Sequence, residues 1–300
     1  MDSLGVRAIA IFVRLAVVLA VSHGLCPLVS AEETRWRVSF QKGTRSVESS
    51  AIAMATPDGP VLVAVALQGA DFSATSLVLG GKPVAARFVG YDAVSRLCVF
   101  KPSEPIRGAV LTWADRAPEQ MGMRIGVGTG DVRKMGTLKG KVNRIGGKVL
   151  PFALLEAEVA GQALEPGASV TSPDGKVIGI VFQSGEAGGG GYVIPAQAVN
   201  RVVKDIVANG RLVRGWLGVS LMVENSEPRI TKVWADSPAA DAGLREGDLI
   251  SRIGNTEVGN YADVADTFFY LIPGEPVELT VSREGKTFRF ALTPTAARPN

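Results

Sequence analysis

The 300-residue sequence predicts a mainly β chain that closes with a smaller α+β unit. Three observations carry that expectation. From about residue 34 to 194, short β-type runs alternate with turn-forming Gly, Pro and Asp. At residue 195 the rhythm changes to helical spacing. Hydrophobic residues make up 46% of the chain and aromatics only 6%, which suits a core filled by Val, Ala and Leu.

Residues 1–31 read as a secretory signal. Arg7 and Arg14 supply positive charge, Leu15 to Val21 form a short apolar run, and Val29-Ser30-Ala31 offers small residues for cleavage. Arg14 interrupts the apolar stretch, and the run beyond it falls short of the ~20 residues a spanning helix needs. Cleavage is therefore favoured over a retained anchor. Cys26 is not preceded by the small residues expected of a lipid-attachment site. The expectation is export, to a periplasm or outside the cell, with no stable membrane span after processing.

The β-type runs come next. Examples are Arg37-Val38-Ser39-Phe40, Val61 to Val65, Ser76 to Leu79 and Val177 to Val181, punctuated by Pro57-Asp58-Gly59, Gly80-Gly81 and Pro173-Asp174-Gly175. Such spacing suggests a sandwich or barrels and argues against βαβ units. Cys98, inside Leu97-Cys98-Val99-Phe100, is expected to be a buried thiol. After processing it is the sole cysteine, which excludes an intrachain disulfide. His23 is the only histidine and leaves with the signal, so a zinc site of the usual His/Cys kind is excluded too. No metal and no cofactor is expected. With 32 basic and 29 acidic residues, the chain lacks the bias of a nucleic-acid binder. The densest basic stretch, Arg133 to Arg144, alternates with Gly and Val and reads as the wet side of strands.

Pro195 then opens a helix in which Val199, Val202, Val203 and Ile206 recur at helical spacing, with Gly210 in the place of a C-terminal cap. Arg211 to Gly215 forms the joint between a first domain, 34–209, and a second, 212–297. The second is read as strands at Gly218 to Val223 and Ile230 to Trp234, then a short helix near Pro238 to Ala242. A turn at Arg245-Glu246-Gly247-Asp248 comes after it, then a longer helix from Tyr261 to Leu271. Strands at Val277 to Ser282 and Thr287 to Leu292 close the domain, with fraying after Pro294.

Within this second domain SPAADAGLREGDLI, residues 237–250, together with Ile253-Gly254-Asn255, resembles the PDZ domain of HtrA/Deg-type proteins. The resemblance implies a groove between one strand edge and the longer helix, where an extended C-terminal peptide adds as a strand. It also implies that Trp216-Leu217-Gly218-Val219 is the loop whose N–H groups receive the terminal carboxylate, with Gly218 permitting close backbone approach. A hydrophobic pocket is then lined by Leu217, Val219 and Leu221, with Val264 and Phe268 one helical turn apart opposite. Plain core packing is the competing reading of those apolar residues.

Three stretches of the first domain resemble the trypsin-like protease domain of the same family, which implies a two-barrel fold. TPDGPVLVAVALQGAD, residues 56–71, matches a pattern that places Ala66 on the triad histidine. VGYDAVSRLCVFK, residues 89–101, places Arg96 on the triad aspartate. EAEVAGQALEPGASVTSPDGKVIGI, residues 156–180, places Pro166 on the nucleophilic serine. Gly188 to Pro195 resembles a further family segment. Ala66 offers no base, Arg96 would repel an imidazolium, and Pro166 has neither a hydroxyl nor the N–H that completes an oxyanion hole. Ser169, Thr171 and Ser172 are substitute nucleophiles by position, with Lys176 or Lys101 as base, but a lysine base must be desolvated. Those hydroxyls read better as turn residues, and Glu156 and Glu158 as a solvated strand face.

Together these residues describe an exported, catalytically inactive HtrA/Deg-like pseudoprotease in protein quality control, adaptor or regulatory work. Its expected partners are protein or peptide C-termini, unfolded polypeptides and active proteases, with no nucleic acid. The rivals are a serine endopeptidase with a relocated site and a structural assembly subunit. Trp36 and Phe40 are too little to set an oligomeric state, so a homo-oligomer stays open.

Overall fold

The computed structural model describes residues 36–67, 69–106, 110–118, 120–128, 133–185, 189–222 and 227–297. The signal segment 1–31, with His23, lies outside the described residues. The first sheet contains β1 (Trp36–Lys42), β2 (Arg45–Met54), β3 (Val61–Val65), β4 (Asp71–Leu79), β5 (Lys82–Val84), β6 (Ala86–Tyr91) and β7 (Leu97–Pro102). Their order is β5-β4-β1-β2-β3-β7-β6. In β1 the pleat sends Trp36, Val38 and Phe40 inward. β3 is buried along its whole length because both of its faces are covered. Leu62 and Ala64 face one apolar cluster, and Val61, Val63 and Val65 face another. The sheet curls until β4 and β6 meet through rings, with Phe72 centred 5.3 Å from Phe88 and 4.5 Å from Tyr91. Side chains close this first barrel; backbone hydrogen bonds do not.

The second barrel is closed by pairing, in the order β10-β13-β12-β11-β8-β9. Its strands are β8 (Arg124–Val127), β9 (Lys134–Ile145), β10 (Lys148–Glu158), β11 (Ser169–Thr171), β12 (Val177–Ser184) and β13 (Gly191–Pro195). Past Arg133 the basic stretch lies on β9, where Leu138 is buried and most neighbours are at least partly exposed. Cys98 is fully buried, and burial pushes its thiol well above the usual range.

Helix α1 (Ala196–Asn209) begins at the expected place and ends at Gly210, whose φ of 73° is the left-handed cap that glycine adopts without strain. Val199, Val202, Val203 and Ile206 are all fully buried in a cluster shared by both barrels. At ~1.5–3 kcal/mol for each such side chain, this face contributes roughly 6–12 kcal/mol before ordering costs. The same helix holds the interdomain joint. Arg201 pairs with Asp205 and donates to the Val213 carbonyl at 2.8 Å, while Asp205 accepts the Val213 N–H at 2.9 Å.

The C-terminal domain contains β14 (Gly215–Trp216), β15 (Val219–Leu221), β16 (Ile230–Val233), α2 (Pro238–Ala242), β17 (Leu249–Ile253), β18 (Thr256–Glu257), α3 (Tyr261–Phe269), β19 (Val277–Arg283), β20 (Lys286–Leu292) and β21 (Thr295–Ala296). β14 pairs with β21, β15 with β16, and β18-β17-β19-β20 form the main sheet. Ser237 caps α2 by accepting the Ala240 N–H at 3.1 Å. Asp248 anchors the predicted turn. It is fully buried, accepts the Arg245 N–H at 2.9 Å and is gripped by Arg283 at 2.7 and 2.8 Å. Burial pushes its carboxyl up, but the Arg283 bonds and the backbone N–H outweigh this and hold it below its ordinary value. α3 stops at Phe269, two residues short of the sequence expectation. The Tyr270 N–H closes a tight bond to the Thr267 carbonyl, and Pro273 lies just beyond.

The two domains dock through α3. Asp266 accepts the Ala153 N–H of β10 at 2.7 Å and the Lys141 ammonium of β9 at 2.6 Å. Beside it, Phe269 stacks on Phe152 with centroids 4.4 Å apart and joins the cluster that α1 covers.

Candidate functional site

Residues 66, 96 and 166 come from three separate segments; a backbone hydrogen bond joins 66 to 96, and 166 is tied to Ser49 and Ser50 of β2. Ala66 directly follows β3 and is buried; its N–H donates to the Arg96 carbonyl at 2.7 Å. Arg96 precedes β7 in a left-handed conformation with φ 58°. That geometry is set by Asp92, whose carboxylate accepts both the N–H and the hydroxyl of Ser95 at 2.8 Å. Arg214 of the interdomain joint also donates to Asp92, at 2.8 Å.

The Arg96 side chain crosses to the second barrel. Its guanidinium lies 3.7 Å from the centroid of the Phe182 ring and donates to the Phe182 carbonyl at 3.0 Å and to Gln183 Oε1 at 3.3 Å. Its Nε is buried without a partner among the described residues. Burial lowers its pKa and the nearby Tyr91 works against that shift, yet a guanidinium stays cationic near neutral pH. Arg96 thus acts as a brace between the barrels.

Pro166 lies in the loop before β11. Its carbonyl accepts the Ser50 N–H and the Ser49 hydroxyl, each at 3.1 Å. The register that pairs Ala51 with Ala64 leads from there towards Ala66. Position 166 has no N–H, and the next two donate elsewhere, Gly167 to the Val181 carbonyl at 2.8 Å and Ala168 to the Glu165 carbonyl at 3.1 Å. The three positions carry a methyl group packed in the core of the first barrel, a guanidinium that crosses to the second, and a pyrrolidine ring. None of them exchanges a proton near neutral pH.

The substitute nucleophiles are placed otherwise. Ser169 donates to the Gly128 carbonyl at 2.7 Å and Thr171 to the Gly126 carbonyl at 3.2 Å, both inside the second barrel. Ser172 bonds Asp174 within the turn. The Lys176 side chain is 54% exposed and sits 3.7 Å from Asp174, and Lys101 donates to the Asp58 carbonyl at 2.9 Å. Glu156 and Glu158 are exposed on β10, and Glu158 pairs with Lys139 at 2.5 Å.

In the C-terminal domain, β15 pairs with β16 along one edge only, and no strand among the described residues occupies the other. The N–H groups of Leu217 and Gly218, just before that edge, find no hydrogen-bond partner among the described residues. Gly218 has φ 83°, and a Cβ there would stand 2.1 Å from the Cβ of Ser237, so only glycine fits. The close approach is to the α2 cap. Trp216 pairs with Thr295 across β14 and β21.

Val219, Leu221 and Phe268 are half-buried at the rim of the domain core. Leu217 and Val264, expected to line a pocket, are instead packed inside that core, with Val264 fully buried. For Val264 the reason is helical pitch. Four residues at about 100° each overshoot a full turn by roughly 40°, which turns Val264 inward relative to Phe268. Trp234, which no sequence pattern singles out, is 45% exposed beside the loop, with the Lys232 ammonium 3.7 Å from its ring centroid.

A side-chain-closed barrel, a hydrogen-bonded barrel and a small α+β domain with a free strand edge define a mainly β, trypsin-type two-barrel fold followed by a PDZ domain. Comparison with known proteins agrees. A PDZ domain family model matches residues 215–293. The chain is 29% identical over 236 residues to a probable periplasmic serine endoprotease DegP-like of Chlamydia trachomatis serovar D, covering 72% of this chain and 47% of that protein. A protein of the same description from Brucella suis biovar 1 is 28% identical over 262 residues, covering 77% and 49%. The chain therefore spans about half the length of these curated relatives.

Among solved structures it is similar to the HtrA-type protease AlgW with tripeptide, with TM-score 0.66, 22% identity and coverage of 90% of this chain and 96% of that one. The serine endoprotease from Yersinia pestis gives TM-score 0.59 at 20% identity, covering 89% and 96%. The chain is thus similar in sequence to DegP-like proteins and in fold to HtrA-type proteases.

Proposed function

We propose that this chain is an exported, catalytically inactive HtrA-like protein that binds polypeptide C-termini through its PDZ domain, as an adaptor or regulator in protein quality control. The observation that carries the reading is the set of residues at the triad-equivalent positions, Ala66, Arg96 and Pro166, none of which can accept a hydroxyl proton. Loss of one oxyanion donor costs ~10²–10³ in rate, and loss of a triad costs roughly 10⁶. Arg96 is held by the Phe182 carbonyl and Gln183 and pairs with no carboxylate among the described residues. The periplasmic description of the relatives supports an exported location.

Binding is supported by the free edge of β15 and by the unpartnered N–H groups of Leu217 and Gly218, which suit a strand ending in a carboxylate. The test of inactivity is to incubate the processed protein with unfolded casein and with a fluorophosphonate probe. Intact casein and no labelled serine are expected. Cleavage abolished by a single substitution at or beside these positions would overturn the reading. For the groove, a hydrophobic-ended peptide is expected to bind with a free C-terminus and to lose binding when amidated.

A further inference from the structure

The groove leaves one exposed feature unused, the outer face of the β15–β16 pair. In the register that sets Val219 against Val233 and Ser220 against Lys232, Val219 and Val233 pack towards the core. Alternation then puts Ser220, Lys232 and Trp234 together on the outer face. Trp234 belongs to the same ladder, since its N–H donates to the Gly218 carbonyl at 2.9 Å. Its indole leans across β15, with Nε1 donating to the Ser220 hydroxyl at 3.3 Å. The Lys232 ammonium rests over the ring and pairs with no carboxylate among the described residues. Beside this platform towards the free edge lie Gly218 and Ser220, which carry almost no side chain, with the exposed Met222 further along the same face.

From this geometry we infer that Trp234 and Lys232 form a second subsite that selects an acidic side chain at the penultimate position of the bound C-terminus. The inference rests on the groove reading above. With the carboxylate on the Leu217 and Gly218 N–H groups, the last side chain turns towards Val219 and Phe268. The penultimate one turns outward on the Ser220 face. An Asp or Glu there reaches over Gly218 and Ser220 to the Lys232 ammonium, while its stem lies along the indole. A Lys or Arg in that position meets like charge.

The experiment measures Kd by fluorescence anisotropy for peptides that share a hydrophobic last residue and carry Asp, Ala or Lys before it, each with a free or an amidated end. The Asp peptide is expected to bind about three- to tenfold tighter than the Lys peptide, a preference that shrinks at high salt. Lys232→Glu is expected to reverse the order, and Trp234→Ala to flatten it, without abolishing binding of the Ala peptide. Equal affinity for the three free-ended peptides, or an Asp preference that survives Lys232→Glu, overturns this inference alone. Equal binding of free and amidated peptides, or no binding of any, overturns the groove reading itself.

Discussion

Asp266 is the polar anchor through which α3 grips the second barrel, and its removal gives a sharp test of domain docking. Its carboxylate accepts the buried Ala153 N–H at 2.7 Å and the Lys141 ammonium at 2.6 Å. Asp266→Ala strands that N–H, and a lost hydrogen bond to a charged acceptor is worth about 1.5–3 kcal/mol. The Lys141 partner is 40% exposed, so solvent screens its pairing and it adds at most about 1 kcal/mol. Docking should therefore weaken by about 1.5–4 kcal/mol, with the stacked Phe152–Phe269 pair still in place.

Hydrogen exchange read residue by residue is the assay. The Ala153 amide should lose protection by roughly 10- to 700-fold, using 1.4 kcal/mol per decade. Amides of the C-terminal sheet, such as Leu279 and Val281, should keep theirs. Asp266→Asn, which retains an acceptor but not the charge, should fall between the two. Unchanged exchange at Ala153 in the alanine variant would refute the reasoning. Equal losses at Ala153 and throughout β19 would refute it as well, because the effect would then be global unfolding.

Three further outcomes are expected. Gly218→Ala should abolish binding of a free-ended hydrophobic peptide, checked by anisotropy, because its Cβ meets Ser237 at 2.1 Å and must displace the loop or the α2 cap. Gly90→Ala should destabilise the first domain by at least about 1–3 kcal/mol in denaturant titration, since the added methyl lies 2.2 Å from the Gly210 carbonyl oxygen and 2.8 Å from Ile206 Cγ2. Asp248 has a folded-state pKa below its unfolded value. The stability it contributes is thus present above an unfolded pKa of about 3.9 and is lost as pH falls through the folded one. Stability of the PDZ domain should fall in that acid window, and Asp248→Asn should flatten the fall while lowering stability at pH 7 by about 1–3 kcal/mol.

Much of this molecule is legible locally. Helix α1 is marked by its apolar spacing and its Gly210 cap, α2 by Ser237 and Gly243, and the strand runs by the turns between them. Local conformational preference and burial period act within a few residues, so they survive in one dimension. The loss of imidazole from residues 32–300 is likewise a fact of the sequence. Only the tertiary structure decided that Ala66 bonds the Arg96 carbonyl, that Pro166 is tied to Ser49 and Ser50, and that Arg96 reaches Phe182 as a brace. It alone sends Val264 inward while Phe268 stays at the rim, joins α3 to β10 through Asp266, and brings Trp234 over Ser220. Each of these depends on strand register, or on packing between segments far apart in the chain. A shift of one residue would send the same side chains to the opposite face.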